Sequence, residues 1–155
     1  MDENTYITVS EQYMSSFYRT AYSIVQNRHD AEDAVQQALL NAWRSRERAR
    51  EGAERAWMMR ILINECYNIL RLRKRSVPTE HVPEDTVTVS ADSNLSEAIA
   101  DLPESLRTPL LLKYMEGMTE REVAAALKLP LPSVKNRLFR ARKKLQHELQ
   151  EEVGV

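Results

Sequence analysis

Much that catalytic, extracellular and membrane proteins rely on is scarce in this chain. It has one cysteine, Cys66, in 155 residues. That excludes an intrachain disulfide and a thiolate metal cluster, and it fits a reducing compartment. Three glycines leave little room for a glycine-rich phosphate loop. The three histidines, His29, His81 and His147, stand far apart, and none pairs with a cysteine or carboxylate at ligand spacing. Acidic neighbours such as Glu32 with Asp33 and Glu84 with Asp85 fall at a helix start or in a polar segment, where solubility accounts for them. No nucleophile stands beside a base. No run approaches the roughly 20 apolar residues of a membrane span, and the acidic start of the chain has no apolar signal core. The composition therefore argues against an enzyme, a metal or cofactor protein and membrane insertion. It leaves a soluble, cytoplasmic binding protein as the expectation.

Charge is what the chain has, and it is unevenly placed. The overall net charge is only -1. Residues 55–75, however, carry six Lys or Arg against one acid. Residues 76–94 carry four acids and no base, and residues 133–147 carry six Lys or Arg and no acid. Two basic blocks around an acidic segment suggest two anion-binding surfaces, although solvated helix faces would look alike.

Periodicity places these blocks on helices, and no strand pattern, internal repeat or low-complexity tract interrupts them. The first ten residues are expected to be loosely ordered. Met14, Phe17, Tyr18, Ala21, Tyr22 and Val25 then mark a helix with one buried face. Asp30 is expected to cap a second helix, with Ala31, Val35, Ala38, Leu39 and Ala42 facing its core. Leu40 falls among polar neighbours on another stripe of that helix. It is either an ordinary exposed leucine or an anchor for a partner protein. Residues 45–53 read as a loop or a frayed helix end. A third helix runs from about Glu54 to Arg75, with Met58, Ile61, Leu62, Cys66 and Ile69 toward the core. Arg60, Asn64, Tyr67, Arg71 and Arg75 line another stripe, a mixture suited to phosphate contact and stacking on unpaired bases. A solvated face remains the plainer account of that stripe.

Residues 76–94, with two prolines and no helical period, read as a linker. Beyond it a short helix covers Leu95 to Leu102, and another runs from about Glu104 to Glu116. Pro109 suggests that Thr108 re-caps the latter, and Gly117 can end it. Thr119 with Glu122 forms a capping-box pattern, followed by Val123, Ala126 and Leu127 on a packing face. Pro130 and Pro132 mark a turn. Ser133 is expected to cap the last helix, whose Val134, Leu138, Ala141 and Leu145 point inward. Lys135, Asn136, Phe139, Arg140 and Lys143 remain outside, although core packing is an equal prospect for Phe139. Two helices joined by a tight turn, the second densely basic, form the pattern of a helix-turn-helix. Each phosphate such a helix neutralises releases condensed counterions.

With these pieces in place the chain resembles the sigma-70 family, and most of all its small extracytoplasmic-function group. Three stretches carry the resemblance: residues 30–43, residues 56–75 and residues 102–145. It implies an all-α fold of two small helical domains joined by a flexible acidic linker. Residues 1–75 would form a core-polymerase and minus-ten domain, 76–94 the linker, and 95–155 a helix-turn-helix domain for the minus-thirty-five element. It also implies a factor that directs RNA polymerase core enzyme to promoters, without cofactor or chemistry of its own. Asp33, Gln36, Gln37 and Leu40 match the surface that meets the clamp helices of the largest polymerase subunit. Arg60, Asn64, Tyr67 and Arg71 match the face toward the melted minus-ten strand. Ser133, Lys135, Asn136, Phe139 and Arg140 match positions that contact duplex promoter DNA. Residues 45–53 correspond to a loop that holds a flipped base, and an anti-sigma factor is implied as a partner. The chain departs from the family pattern at Gln37, where a glutamate is common, at Lys128, where the turn usually has glycine, and at Pro132, where a smaller residue is usual. Lys128 should therefore take a strained or differently shaped conformation.

The main rival is a stand-alone helix-turn-helix regulator, which would dimerise and bind its operator without polymerase. It leaves the surface of Asp33, Gln36, Gln37 and Leu40 and the second basic helix unexplained. An adaptor without DNA function predicts no effect of removing charge at Lys135 and Arg140. An RNA-binding module lacks the usual aromatic platform.

Overall fold

The first helix, α1 (Glu3–Val25), begins eight residues before its expected start. The Asp2 carboxylate accepts the Thr5 N–H at 2.8 Å and caps it, which holds that carboxyl below its ordinary range. Tyr6, Val9 and Tyr13 extend the apolar stripe toward the N-terminus. The Tyr6 hydroxyl donates to the Leu39 carbonyl at 2.7 Å, and its ring meets Trp43 edge-on at 5.1 Å. The first ten residues are thus fixed by aromatic contacts that a strict helical tally passes over. Met14 is exposed while Phe17, Ala21, Ile24 and Val25 are buried, so the stripe is narrower than it reads.

The second helix, α2 (Arg28–Arg44), is capped by Asn27, whose side chain accepts the Asp30 N–H at 2.9 Å. Asp30 therefore sits inside the first turn rather than capping it. There it accepts from the Arg73 guanidinium, which also donates to the Val25 carbonyl at 2.8 Å. One arginine near the end of α3 (Glu54–Arg75) thereby ties the end of α1 to the start of α2. Between α2 and α3 the expected loop holds a 3-10 turn, Arg46–Arg48, and bends at Gly52 with φ +85°. The Arg46 guanidinium lies 3.8 Å over the Trp43 ring and the Arg46 carbonyl accepts from the chain's α-amino group, so this loop is not frayed. The three helices enclose Phe17, Ala21, Ile24, Val35, Ala38, Met58, Met59, Leu62, Ile63 and Cys66.

The second bundle comprises α4 (Ser93–Ala100), α5 (Glu104–Tyr114), α6 (Glu120–Leu127) and α7 (Leu131–Glu152). Among the described residues every regular element is helical. The structure, a computed structural model, describes residues 1–75 and 93–152. The expected linker lies outside these apart from Ser93 and Asn94, which already belong to α4. α5 runs straight through Pro109 instead of re-capping at Thr108. A helical proline frees the carbonyl four residues earlier. That carbonyl, on Ser105, accepts from Arg137 of α7 at 3.4 Å. α5 ends at Tyr114, and Gly117, with φ +68°, turns the chain beyond it. Arg107 is buried and donates to the carbonyls of Ala100 and Leu102, closing the end of α4. Burial pulls its pKa down.

Cys66 is fully enclosed, and desolvation, with smaller contributions from Glu65 and Glu104, pushes its thiol up to about 12. A native-state thiol reagent at neutral pH should leave it unmodified, and labelling should appear only on unfolding. Because the folded pKa is raised, its contribution to stability is present below the unfolded value of about 8.5. That contribution is lost as pH climbs from there toward 12. Rapid stoichiometric labelling of the folded protein would contradict this.

Candidate nucleic-acid interface

The helix-turn-helix is built by local rules. Thr119 accepts the Glu122 N–H and Glu122 reaches back to the Thr119 N–H, both at 3.1 Å, completing the capping box. α6 ends at Leu127, and Lys128, which caps it, is left-handed at φ 56° and ψ 47°, where a side chain is strained. α7 starts at Leu131, two residues before the expected cap. Ser133 is consequently a half-buried first-turn residue whose N–H donates to Pro130, not a cap. Pro132 occupies the first turn, where a missing N–H costs nothing. Val134, Leu138 and Ala141 are buried, and Lys135, Asn136, Phe139 and Arg140 are exposed. Phe139 lies outside the core, with the Lys143 ammonium 5.3 Å from its ring centre. Replacing Lys128 with glycine should relieve about 1 kcal/mol of backbone strain and raise the melting temperature by about 2–4 °C. A thermal melt followed by circular dichroism checks this, and a lower melting temperature would refute the strain argument.

The second basic helix does not present its stripe evenly. Asn64 and Arg71 are exposed, with Arg71 donating to Asn68. Arg60 lines a cleft of about 570 Å³ between the two bundles. Its other walls include Arg48, Arg50 and Trp57 on one side, and Ala124, Ala125 and Lys128 on the other. Among the described residues no carboxylate lines that cleft. The Tyr67 hydroxyl donates to Glu104 Oε1 of α5 at 2.8 Å, and burial raises its pKa. Two of the four expected strand-facing residues are thus turned toward the other bundle, which sequence reasoning left open.

On α2, Asp33, Gln36, Gln37 and Leu40 line one shallow groove with Glu65 and Ile69 of α3. Leu40 is 43% exposed. Gln37 donates to Asn41, which donates to Glu65 at 2.9 Å, so a polar relay fixes the groove's rim. His29 Nε2 lies 3.5 Å from Asp33.

Sequence reasoning missed Arg19, Arg55 and Glu116. Arg19 and Arg55 bind Glu116 across the two bundles, and no local pattern signals a pairing 97 residues apart. Among the described residues no cluster of His, Cys, Asp or Glu could hold a metal ion, and no helix is long and apolar enough to cross a membrane.

This geometry has counterparts among known proteins. Residues 9–76 match the family model of Sigma-70 region 2, and residues 92–145 match that of Sigma-70, region 4. The chain is 30% identical to an ECF RNA polymerase sigma-E factor of Escherichia coli, covering 78% of this chain and 74% of that one. It is 29% identical to the RNA polymerase sigma factor SigV of Bacillus subtilis, covering 94% and 92%. It is also 30% identical to the ECF RNA polymerase sigma factor SigE of Mycolicibacterium smegmatis, covering 89% of this chain but spanning only 59% of that protein's length. Among solved structures, the sigma factor RpoE in complex with the anti-sigma factor NepR from Bartonella quintana superposes with a TM-score of 0.72. That match has 25% identity and covers 91% and 94% of the two chains. CnrH in complex with the cytosolic domain of CnrY shares the fold, with a TM-score of 0.70, 22% identity and coverage of 97% and 90%.

Proposed function

From the premise that the chain belongs to the sigma-70 family, in its extracytoplasmic-function group, we propose how its surfaces divide the work of promoter recognition. As a sigma factor it directs RNA polymerase core enzyme to promoters, and bond-making is left to the polymerase. Residues 1–75 form the polymerase and minus-ten unit, and residues 95–155 the minus-thirty-five unit. Leu40, with Asp33, Gln36 and Gln37, docks on the clamp helices. Arg60, Asn64, Tyr67 and Arg71 hold the melted minus-ten strand by phosphate contact and stacking. Lys135 and Arg140 engage phosphate or guanine, Asn136 reads a base edge or phosphate, and Ser133 and Phe139 complete the duplex face.

The observation that carries this reading is the coexistence, in one chain, of a capped helix-turn-helix with an exposed basic face and a separate bundle bearing a polar groove around Leu40. A stand-alone regulator has no use for that groove. RpoE of Bartonella quintana is seen with an anti-sigma factor, and an anti-sigma factor is proposed as a partner here too. A cytoplasmic location follows from the same role.

Run-off transcription tests the proposal. The template carries the chain's own upstream region, with purified core polymerase added with and without the protein. A discrete transcript that depends on the protein is expected. Tight DNA binding by the protein alone, with no transcript, would favour a stand-alone regulator instead.

A further inference from the structure

The proposed duplex face carries an unexpected carboxylate. Between Glu104 and His147 the chain has four acids, Glu104, Glu116, Glu120 and Glu122. Three are engaged elsewhere. Glu104 accepts from Tyr67 and Thr108, Glu116 pairs with Arg19, and Glu122 completes the capping box of α6. Glu120, in the first turn of α6, is turned instead toward cations. Its Oε1 lies 2.7 Å from Lys113 Nζ of α5, and both side chains are partly exposed.

The same network reaches α7. The Lys113 ammonium lies 5.5 Å from the centre of the neighbouring Tyr114 ring, and the Tyr114 hydroxyl accepts from Arg142 at 2.6 Å. Arg142 stands seven residues after Lys135, about two helical turns, so the two share a flank of α7. Asn136, Arg140 and Lys143 repeat along the other flank. The hydrogen bond from Lys113, then the fields of Lys113, Lys135 and Arg142, hold the Glu120 carboxyl below its ordinary range, so it is ionised at neutral pH. Lys113 and Arg142 are thus engaged within the protein on the flank toward α5 and α6.

Stability does not require this arrangement. A partly exposed ion pair contributes little to folding, and α6 is already started by Thr119 and Glu122. For DNA the effect is direct. A duplex is bound by exchanging condensed counterions for Lys and Arg. A carboxylate on that face repels phosphate and occupies a cation that would otherwise neutralise one.

We propose that Glu120 is a charge brake on the duplex face, withholding Lys113 from the phosphate backbone and so limiting sequence-independent DNA binding. This rests on the reading of α7 as the duplex-binding helix. The brake acts on every sequence alike, because phosphate contacts carry no sequence information. What it changes is how much of the protein is held on the excess of non-promoter sites that a genome offers.

Salt titration of the full-length protein on two labelled duplexes tests the brake. One duplex comes from the chain's own upstream region and the other has an arbitrary sequence. Glu120→Gln is expected to steepen the slope of log affinity against log salt by about 0.9 on both, the value of one added phosphate contact. At physiological salt that is about a fivefold gain in affinity. Glu120→Gln with Lys113→Gln should return both readings to wild type, since the added contact is made by Lys113. Glu11→Gln, the same charge change at an exposed position on α1, should alter neither. Circular dichroism should show unchanged helix content in all three. An unchanged slope in Glu120→Gln, or a gain that survives the loss of Lys113, would overturn the brake. So would a loss of affinity confined to the upstream duplex, which would make Glu120 a reader of a base edge, as a carboxylate accepting from cytosine is. Absence of binding to either duplex at low salt would remove the duplex face and the brake together. Run-off transcription decides the sigma reading separately, so a protein-dependent transcript with an unaltered Glu120→Gln slope would refute the brake alone.

Discussion

Leu40→Asp is expected to abolish protein-dependent transcription while leaving the fold intact. Leu40 is exposed, so the substitution opens no cavity and buries no charge in the free protein. It lines the groove together with Ile69 and the polar side chains of Asp33, Gln36, Gln37 and Glu65. An apolar anchor inside a polar rim is the arrangement in which one side chain dominates an interface, at about 2–4 kcal/mol. Aspartate removes that contact and adds the desolvation of a carboxylate. Affinity for core polymerase should fall at least about 100-fold. Leu40→Ala, which loses only the contact, should fall by about 30-fold, the lower end of that range. Fluorescence anisotropy with labelled protein and core enzyme measures both, with a thermal melt as the folding control. Affinity within about threefold of wild type for Leu40→Asp would remove Leu40 from the docking surface.

The second large effect concerns α7. Lys135→Ala with Arg140→Ala should weaken holoenzyme binding to a promoter duplex about 100-fold at physiological salt. The slope of log affinity against log salt should fall by about 2, because each lost phosphate contact removes about 0.9. Both side chains are exposed, so stability should change little. Asn136→Ala separates positioning from reading. If Asn136 meets a base edge it should cost about 1–3 kcal/mol and relax preference at one position, with the salt slope unchanged. A uniform loss across sequences with a smaller slope would assign it to phosphate instead. A double variant with the wild-type slope would show that α7 does not neutralise the backbone where expected.

The helices themselves were legible because their signals are local. The capping box at Thr119 and the buried stripe of Val134, Leu138 and Ala141 act within one or two turns, and both stand where the pattern placed them. So does the outward position of Lys135, Asn136 and Arg140. Lys128, flagged because its turn usually takes glycine, is indeed left-handed. The misreadings came where a local rule met a distant partner. Asp30 has the chemistry of a cap, but Asn27 was in place and Arg73 occupied Asp30. Pro109 has the chemistry of a break, but Arg137 satisfies the carbonyl it frees. The first residues lack a strong stripe, but Tyr6 finds Trp43 and Leu39 on α2.

The sequence by itself determined the helical class, the order of the elements, the two basic faces and the outward leucine of α2. Each of these follows from side-chain spacing within a single helix and from charge counted along the chain. Only the tertiary structure decided which of those faces lie open. Whether Tyr67 meets solvent or Glu104, and whether Arg60 faces water or α6, depends on how the two helical bundles dock. That docking joins one buried apolar cluster across both bundles and pairs Arg19 and Arg55 with Glu116, residues that belong to no shared stripe and no motif. Periodicity encodes which side of a helix is apolar. It holds no information about which charged residue on one bundle will stand opposite which on another, because that pairing is set by the shapes of both surfaces once each has folded.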